Sequence, residues 1–298
     1  MTTSGRSDVA AFRRALRRVA PGLRRDLPWL SDPRPWAILV SEVMLQQTST
    51  SRVKEPWARF LELFPTPVAC ADASLSKVLV AWSGLGYPRR AKALHGAARV
   101  IRDDFGGVVP DSVEDLLRLP GVGQYTAHAV ATFAFAQPVA VLDTNVGRVL
   151  ARALANAPLR RVDAQRLADE LLPARDPASF NQAMLDLGAQ FCRTAPRCGS
   201  CPVRRHCTWQ RRGGSDPAPL SAAVSRRQAP FVGSNREQRG RVLRLLGDRP
   251  RSKQQLVTFL AIETDRANDV LASLVDDGLV TKSGRSYSLS EGRDHTRP

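Results

Sequence analysis

The sequence has no apolar run approaching the ~18 residues that a membrane-spanning helix needs, so no helical membrane span is expected. Its N-terminus carries no apolar core of the kind that directs export, and a cytoplasmic location is expected. Lysine is scarce, with five residues (Lys54, Lys77, Lys92, Lys253 and Lys282) among 44 basic ones. Arginine dominance alongside abundant alanine fits a GC-rich coding bias, but bias does not produce an excess of charge. Acidic residues number only 28, leaving a net charge of +16, which points to a polyanionic partner and most simply to nucleic acid. Cysteine is also scarce. Of five, Cys70 stands alone and reads as a small buried apolar residue, while the other four are bunched. There are no internal repeats. What is present is 298 residues, 43% of them hydrophobic and 24% charged, enough for a packed core and, as a length prior, two domains.

Apolar periodicity reads mostly as helix. Val9, Phe12, Leu16 and Val19 recur at helical spacing with Arg13, Arg14, Arg17 and Arg18 between them, giving a basic outer face stopped at Pro21-Gly22. Pro35 suits a helix start, and Trp36 to Gln47 is so apolar that this helix should be buried. Further helices are expected over 53–64, 74–82, 88–104, 112–119, 124–136, 145–155, 163–172 and 179–191. Residues 1–210 form one expected domain. Residues 211–234, with Gly213, Gly214, Pro217, Pro219 and Pro230, form a linker. Residues 235–292 form a small second domain, whose three helices and a hairpin around Ser283-Gly284 resemble a winged helix. Arg236, Arg239, Arg241 and Arg244 would give its first helix a basic face.

Four local patterns carry chemistry. Leu119-Pro120-Gly121-Val122-Gly123, between two expected helices, resembles a helix-hairpin-helix. Its glycines let backbone approach a phosphate, and the free N–H groups of the following helix bind the anion without reading sequence. Glu42 interrupts the apolar helix Ile38–Leu45; buried there, its carboxyl group should hold a proton near neutral pH and act as a general acid, unless it faces a solvated stripe or an arginine. Asp143 ends a short apolar segment before a helix, the position of an ordinary N-cap and equally of a carboxylate set against a developing cation. The cysteine run Cys192, Cys198, Cys201 and Cys207, without an export signal, reads as a metal site rather than disulfides.

Taken in order, these blocks resemble one family. Ser41-Glu42-Val43-Met44-Leu45-Gln46-Gln47-Thr48, Gly84-Leu85-Gly86-Tyr87, Leu119–Gly123, Val141-Leu142-Asp143-Thr144-Asn145 and Phe180–Gly188 are similar to the MutY adenine DNA glycosylases, over about residues 20–210. The resemblance implies an all-α fold: a helix-hairpin-helix glycosylase core with an iron–sulfur loop. It implies excision of adenine mispaired with 8-oxoguanine or guanine in duplex DNA, by a monomer. It assigns Glu42 as the acid at adenine N7 and Asp143 as stabiliser of the sugar cation, with Tyr125 and Asn145 in support. Gln47 and Tyr87 would wedge into the duplex, and Thr48 and Leu85 would contact the lesion. Gly121 and Gly123 would hold phosphate, Arg25, Trp29 and Gln182 would line the adenine pocket, and the four cysteines would ligate a [4Fe-4S] cluster, with zinc as the alternative.

The chain also departs from the family. Position 125 is tyrosine where the bifunctional endonuclease III branch has its Schiff-base lysine, so a monofunctional enzyme is expected. Thymine–guanine mismatch glycosylases share that tyrosine but lack the glutamate. The first cysteine gap holds five residues rather than the usual six, Leu30 stands where many relatives have arginine, and residues 235–292 do not resemble the usual Nudix-like domain. The rival readings are a related mismatch glycosylase, a bifunctional lyase, and a non-catalytic DNA-binding protein.

Overall fold

A computed structural model describes residues 3–221, 224 and 230–292; part of the 211–234 stretch thus lies outside the described residues. The chain forms two compact units, Met1–Pro33 with Gln124–Arg227 and Arg34–Gly123 with Gln228–Pro298. The mostly helical architecture expected from the sequence is present, and among the described residues no helix is long and apolar enough to cross a membrane.

The unit containing Arg34–Gly123 is organised around the helix Pro35–Leu45. Pro35 opens it at N1, where a missing N–H costs nothing, and Trp36 through Met44 are all buried. Thr50–Leu63 packs against it, tied by a hydrogen bond from Trp57 Nε1 to the Ala37 carbonyl at 2.9 Å. A short helix, Pro67–Asp72, was not anticipated from the sequence. It is too short for a periodic pattern, but its Thr66-Pro67 start is a legible cap, with Thr66 Oγ1 accepting from Ala69 N at 3.1 Å. Leu75–Ala81, Arg89–Asp104 and Val113–Leu117 complete the set.

In the same unit, helices Asn235–Leu246, Lys253–Leu260 and Thr264–Asp276 pack with strands Arg251–Ser252, Val280–Ser283 and Ser286–Leu289. The strands form one antiparallel sheet with Ser286–Leu289 in the middle, and Val242, Leu256, Leu260, Val270, Leu274 and Leu289 are buried among these elements. This C-terminal part is fastened to the Arg34–Gly123 helices. The Asp277 carboxylate accepts from Arg89 and Arg239, Lys92 Nζ donates to the Asp277 carbonyl at 2.7 Å, and Leu75 N donates to the Glu291 carbonyl at 3.4 Å. Arg239 and Arg241 therefore do not present a free basic face; Arg241 donates to the Leu260 and Phe259 carbonyls.

In the other unit, Thr3–Leu23 buries Val9, Phe12 and Leu16 and exposes Arg14, Arg17 and Arg18, as its periodicity predicts. It runs through Pro21 to Leu23, past the expected stop. Gln124–Phe135, Arg161–Leu171 and Pro177–Gln190 follow the expected ranges, and Thr144–Val149 continues into one π-helical stretch, Leu150–Ala155.

Candidate active site

Glu42 lies one turn from the end of Pro35–Leu45 and is only 5% exposed, in a helix with no solvated stripe around it. Immediately beyond, Gln47 adopts a left-handed φ of 58°, unusual for a side-chain-bearing residue. Thr48 and Leu85 are both buried, and Thr48 Oγ1 donates to the Leu85 carbonyl at 3.3 Å. Tyr87 is also left-handed, at φ 48°, just after Gly86 at 71°.

One residue that the sequence did not single out joins these parts. Arg90 donates to the carbonyls of Val43, Met44 and Gln46 at 3.0, 2.8 and 2.6 Å, to Thr48 Oγ1 at 2.9 Å, and to the Leu85 and Gly86 carbonyls at 3.2 and 3.1 Å. It thus satisfies carbonyls left open where Pro35–Leu45 ends, and it locks that end to the Leu85–Tyr87 turn. Burial lowers its pKa to about 10, so it remains a cation at neutral pH.

The turn at Leu119–Gly123 places its two glycines differently. Gly121 has φ 78°, and a Cβ there would lie 2.6 Å from that of Ala93, so only glycine fits. A Cβ on Gly123 would meet nothing within 4 Å, leaving its backbone open to approach. Tyr125 follows half-buried at the second residue of Gln124–Phe135.

Asp143 is the N-cap of Thr144–Val149, with Oδ1 accepting from Val146 N at 2.7 Å. The ordinary role expected for this aspartate is thus present. Its second oxygen accepts from Asn145 Nδ2 at 2.6 Å. Arg148 donates to Asn145 Oδ1 at 2.5 Å and, through Nε, to the Cys192 carbonyl at 2.7 Å. Burial pushes the Asp143 pKa above the ordinary carboxylate value, opposed by the Val146 and Asn145 hydrogen bonds and by the Arg148 charge.

Two packing devices hold that segment. Asn181, fully enclosed, accepts from Val141 N at 2.9 Å and donates to the Val139 carbonyl at 2.9 Å, pinning the strand-like approach to Asp143. Gly188 lets Pro177–Gln190 press on Asn145; a Cβ would come within 2.6 Å of Asn145 Cβ and 2.7 Å of its carbonyl oxygen. Arg25 and Gln182 meet on the buried Asp186, with Arg25 Nε donating at 2.5 Å and Gln182 Nε2 at 2.9 Å to the same oxygen. Trp29 is buried in the same unit. Asp186 was missed because an acid at that spacing on Pro177–Gln190 looks like a solvated residue until the helix is packed.

Cys192, Cys198, Cys201 and Cys207 line one pocket, walled by Val149, Phe191, Val203 and Trp209. Burial raises the thiol pKa of Cys192 and Cys207, and that of Cys201 to about 11. Among the described residues no three Cys, His, Asp or Glu side chains converge closely enough for a single metal ion.

The description of HhH-GPD superfamily base excision DNA repair proteins matches residues 40–174. The chain is 44% identical over 281 residues to an adenine DNA glycosylase of Mycolicibacterium smegmatis, covering 90% of this chain and 93% of that protein. It is 46% identical to an adenine DNA glycosylase of Mycobacterium tuberculosis, covering 90% of each. Among solved structures it resembles a thermostable thymine-DNA glycosylase with a TM-score of 0.64 at 28% identity, over 69% of this chain and 97% of that one. With likeness running along 90% of its length, and with the Glu42 helix, the Gly121 hairpin and the Asp143 cap in family order, the chain belongs to the adenine DNA glycosylases of base-excision repair.

Proposed function

We propose that the protein hydrolyses the N-glycosidic bond of adenine mispaired with 8-oxoguanine or guanine in duplex DNA. The observation that carries this reading is Glu42, a carboxyl group 5% exposed in a helix that is apolar but for the neighbouring Ser41. Such a group keeps its proton near neutral pH because its ionised form is poorly solvated, and so is available as a general acid. Glu42 protonates adenine at N7. The C1′–N9 bond then breaks with its electron pair moving into the base, Asp143 stabilises the oxocarbenium ion, and water adds at C1′ and loses a proton. The products are adenine and an abasic site. Asn145 orients Asp143 through their 2.6 Å hydrogen bond, and Tyr125 supports the same site. A phenol forms no Schiff base, so the enzyme is monofunctional.

Adenine must leave the stack to be reached. Gln47 and Tyr87, whose left-handed backbones thrust them from tight turns, enter the duplex. Thr48 and Leu85 back that turn and contact the lesion, and the Gly121 and Gly123 backbone holds phosphate. Arg25, Trp29 and Gln182 line the pocket, and Asp186, which orders Arg25 and Gln182, belongs with them. Residues 235–292 form a winged-helix-like domain, supported by the order of their helices and strands.

The four cysteines would hold a [4Fe-4S] cluster. Their donor set, four thiols lining one pocket, suits iron–sulfur ligation, and zinc, which four closely spaced cysteines also suit, is the alternative. When bound, the cluster cross-links the loop from Cys192 to Cys207. Iron analysis of fresh protein and an absorbance band near roughly 400 nm support it; stoichiometric zinc without iron would exclude it.

The test is single-turnover base release from a labelled duplex. Glu42→Gln and Asp143→Asn should each slow release by roughly 10²–10⁴-fold, with no borohydride-trappable adduct in the wild type. Unchanged release in both variants would refute the assignment.

A further inference from the structure

The C-terminal part of the chain reaches a residue assigned to DNA opening. Arg236, on the first turn of Asn235–Leu246, places its guanidinium 5.4 Å from the centre of the Tyr87 ring and donates to the Tyr87 hydroxyl. Arg90 lies 5.3 Å from the same ring. Two cations thus share one aromatic side chain, and one of them comes from residues that have no counterpart in the sequence blocks of the catalytic core.

The backbone around Tyr87 makes that contact consequential. Tyr87 is held at φ 48°, a conformation that side chains other than glycine adopt at a cost. Arg90 anchors the turn from below through the Leu85 and Gly86 carbonyls, and Trp82 Nε1 donates to the Gly86 carbonyl at 3.1 Å. These bonds fix the main chain. They leave the tilt of the ring to whatever touches it: Arg90 and Arg236 both approach the ring, and Arg236 also holds its hydroxyl. Arg236 is itself held in place. Its helix is joined by Arg239 to Asp277, and Asp277 is bonded to Arg89, two residues beyond Tyr87. The ring and the cation that steers it therefore sit on one closed loop of contacts.

We infer that Arg236 is a positioning residue: it sets the orientation of the Tyr87 ring for insertion into the duplex, and by this contact the C-terminal domain takes part in base excision. A cation both near the ring of a tyrosine and hydrogen-bonded to its hydroxyl restricts the ring more than either contact alone. This rests on the role proposed for Tyr87 and goes beyond it, since a simple basic patch would act on phosphates and be indifferent to Tyr87.

The test is a double-mutant cycle in the full chain. Arg236→Ala should slow single-turnover adenine release by roughly fivefold, and Arg236→Lys should recover part of the loss, because it keeps the cation but not the planar contact. In a Tyr87→Ala background, Arg236→Ala should have no further effect. Arg249→Ala, an equal change of charge at an exposed position of the same domain, should leave the rate unmoved. Equal effects of Arg236→Ala in both backgrounds, or none in either, would overturn the inference. If Arg236→Ala loses its unfolding transition, Arg236→Lys and Tyr87→Phe complete the cycle. Wild-type protein that releases no adenine would instead overturn the reading beneath it.

Discussion

In the function proposed for this chain, Asp143 carries two tasks in one side chain. As an N-cap it needs a lone pair for Val146 N, and as a stabiliser of a cation it must be ionised. Burial works against ionisation, while the Val146 and Asn145 hydrogen bonds and Arg148 work for it, and burial has the larger effect. The direction of that shift makes a prediction. Asp143 is protonated as pH falls through a value above the ordinary carboxylate range, so the rate of base release should fall on the acid side at a pH higher than a solvated aspartate would give. A pH–rate profile of single-turnover release measures this. In Asn145→Ala, which removes a hydrogen bond to the ionised form, the acid limb should move to still higher pH. An acid limb at the ordinary aspartate value would contradict the assignment.

At the level of helices and turns, the catalytic geometry depends on close approach rather than on chemistry. Gly188 is the clearest case, because a methyl group there would overlap both the side chain and the carbonyl of Asn145. Gly188→Ala should push Thr144–Val149 away from Pro177–Gln190, destabilising the fold by about 1–3 kcal/mol. It should also slow base release, since Asp143 and Asn145 ride on the displaced segment. Urea unfolding and single-turnover kinetics read the two effects separately. Helix positions were largely legible from periodicity: Trp36–Met44 declared a buried helix by composition alone, and Glu42 stood out against it. Arg90, Asn181 and Asp186 were not legible. Each is a polar residue with an unremarkable local pattern, and its role exists only once distant backbone groups are brought within hydrogen-bond reach.

Across the entire chain, Asp277 is one of the polar groups that join the C-terminal part to the core helices. Burial raises its pKa, but hydrogen bonds from Arg89 and Arg239 outweigh this, and the net shift is downward. A depressed folded-state pKa means that the ion pairs stabilise the protein above the unfolded carboxylate value, and that this contribution is lost as pH falls through the lower folded value. Asp277→Asn should therefore lower the unfolding midpoint at neutral pH, and the difference from wild type should vanish in acid. A thermal or urea midpoint series over pH checks this; a difference independent of pH would show that the aspartate acts by packing alone.

The order of residues along the chain was enough to reveal a basic, largely helical protein, its family blocks, the buried acid and the clustered thiols, because apolar spacing, charge and residue type are local properties that survive without coordinates. It could not reveal that Arg90 gathers six acceptors, that Asp186 orders Arg25 and Gln182, or that Arg239 and Arg241 are turned inward while Arg236 rests on Tyr87. Those depend on which backbone carbonyls and side chains meet once the chain is folded, some of them more than a hundred residues apart. How completely Glu42 is enclosed, at 5% exposure, was also decided by the elements packed around its helix.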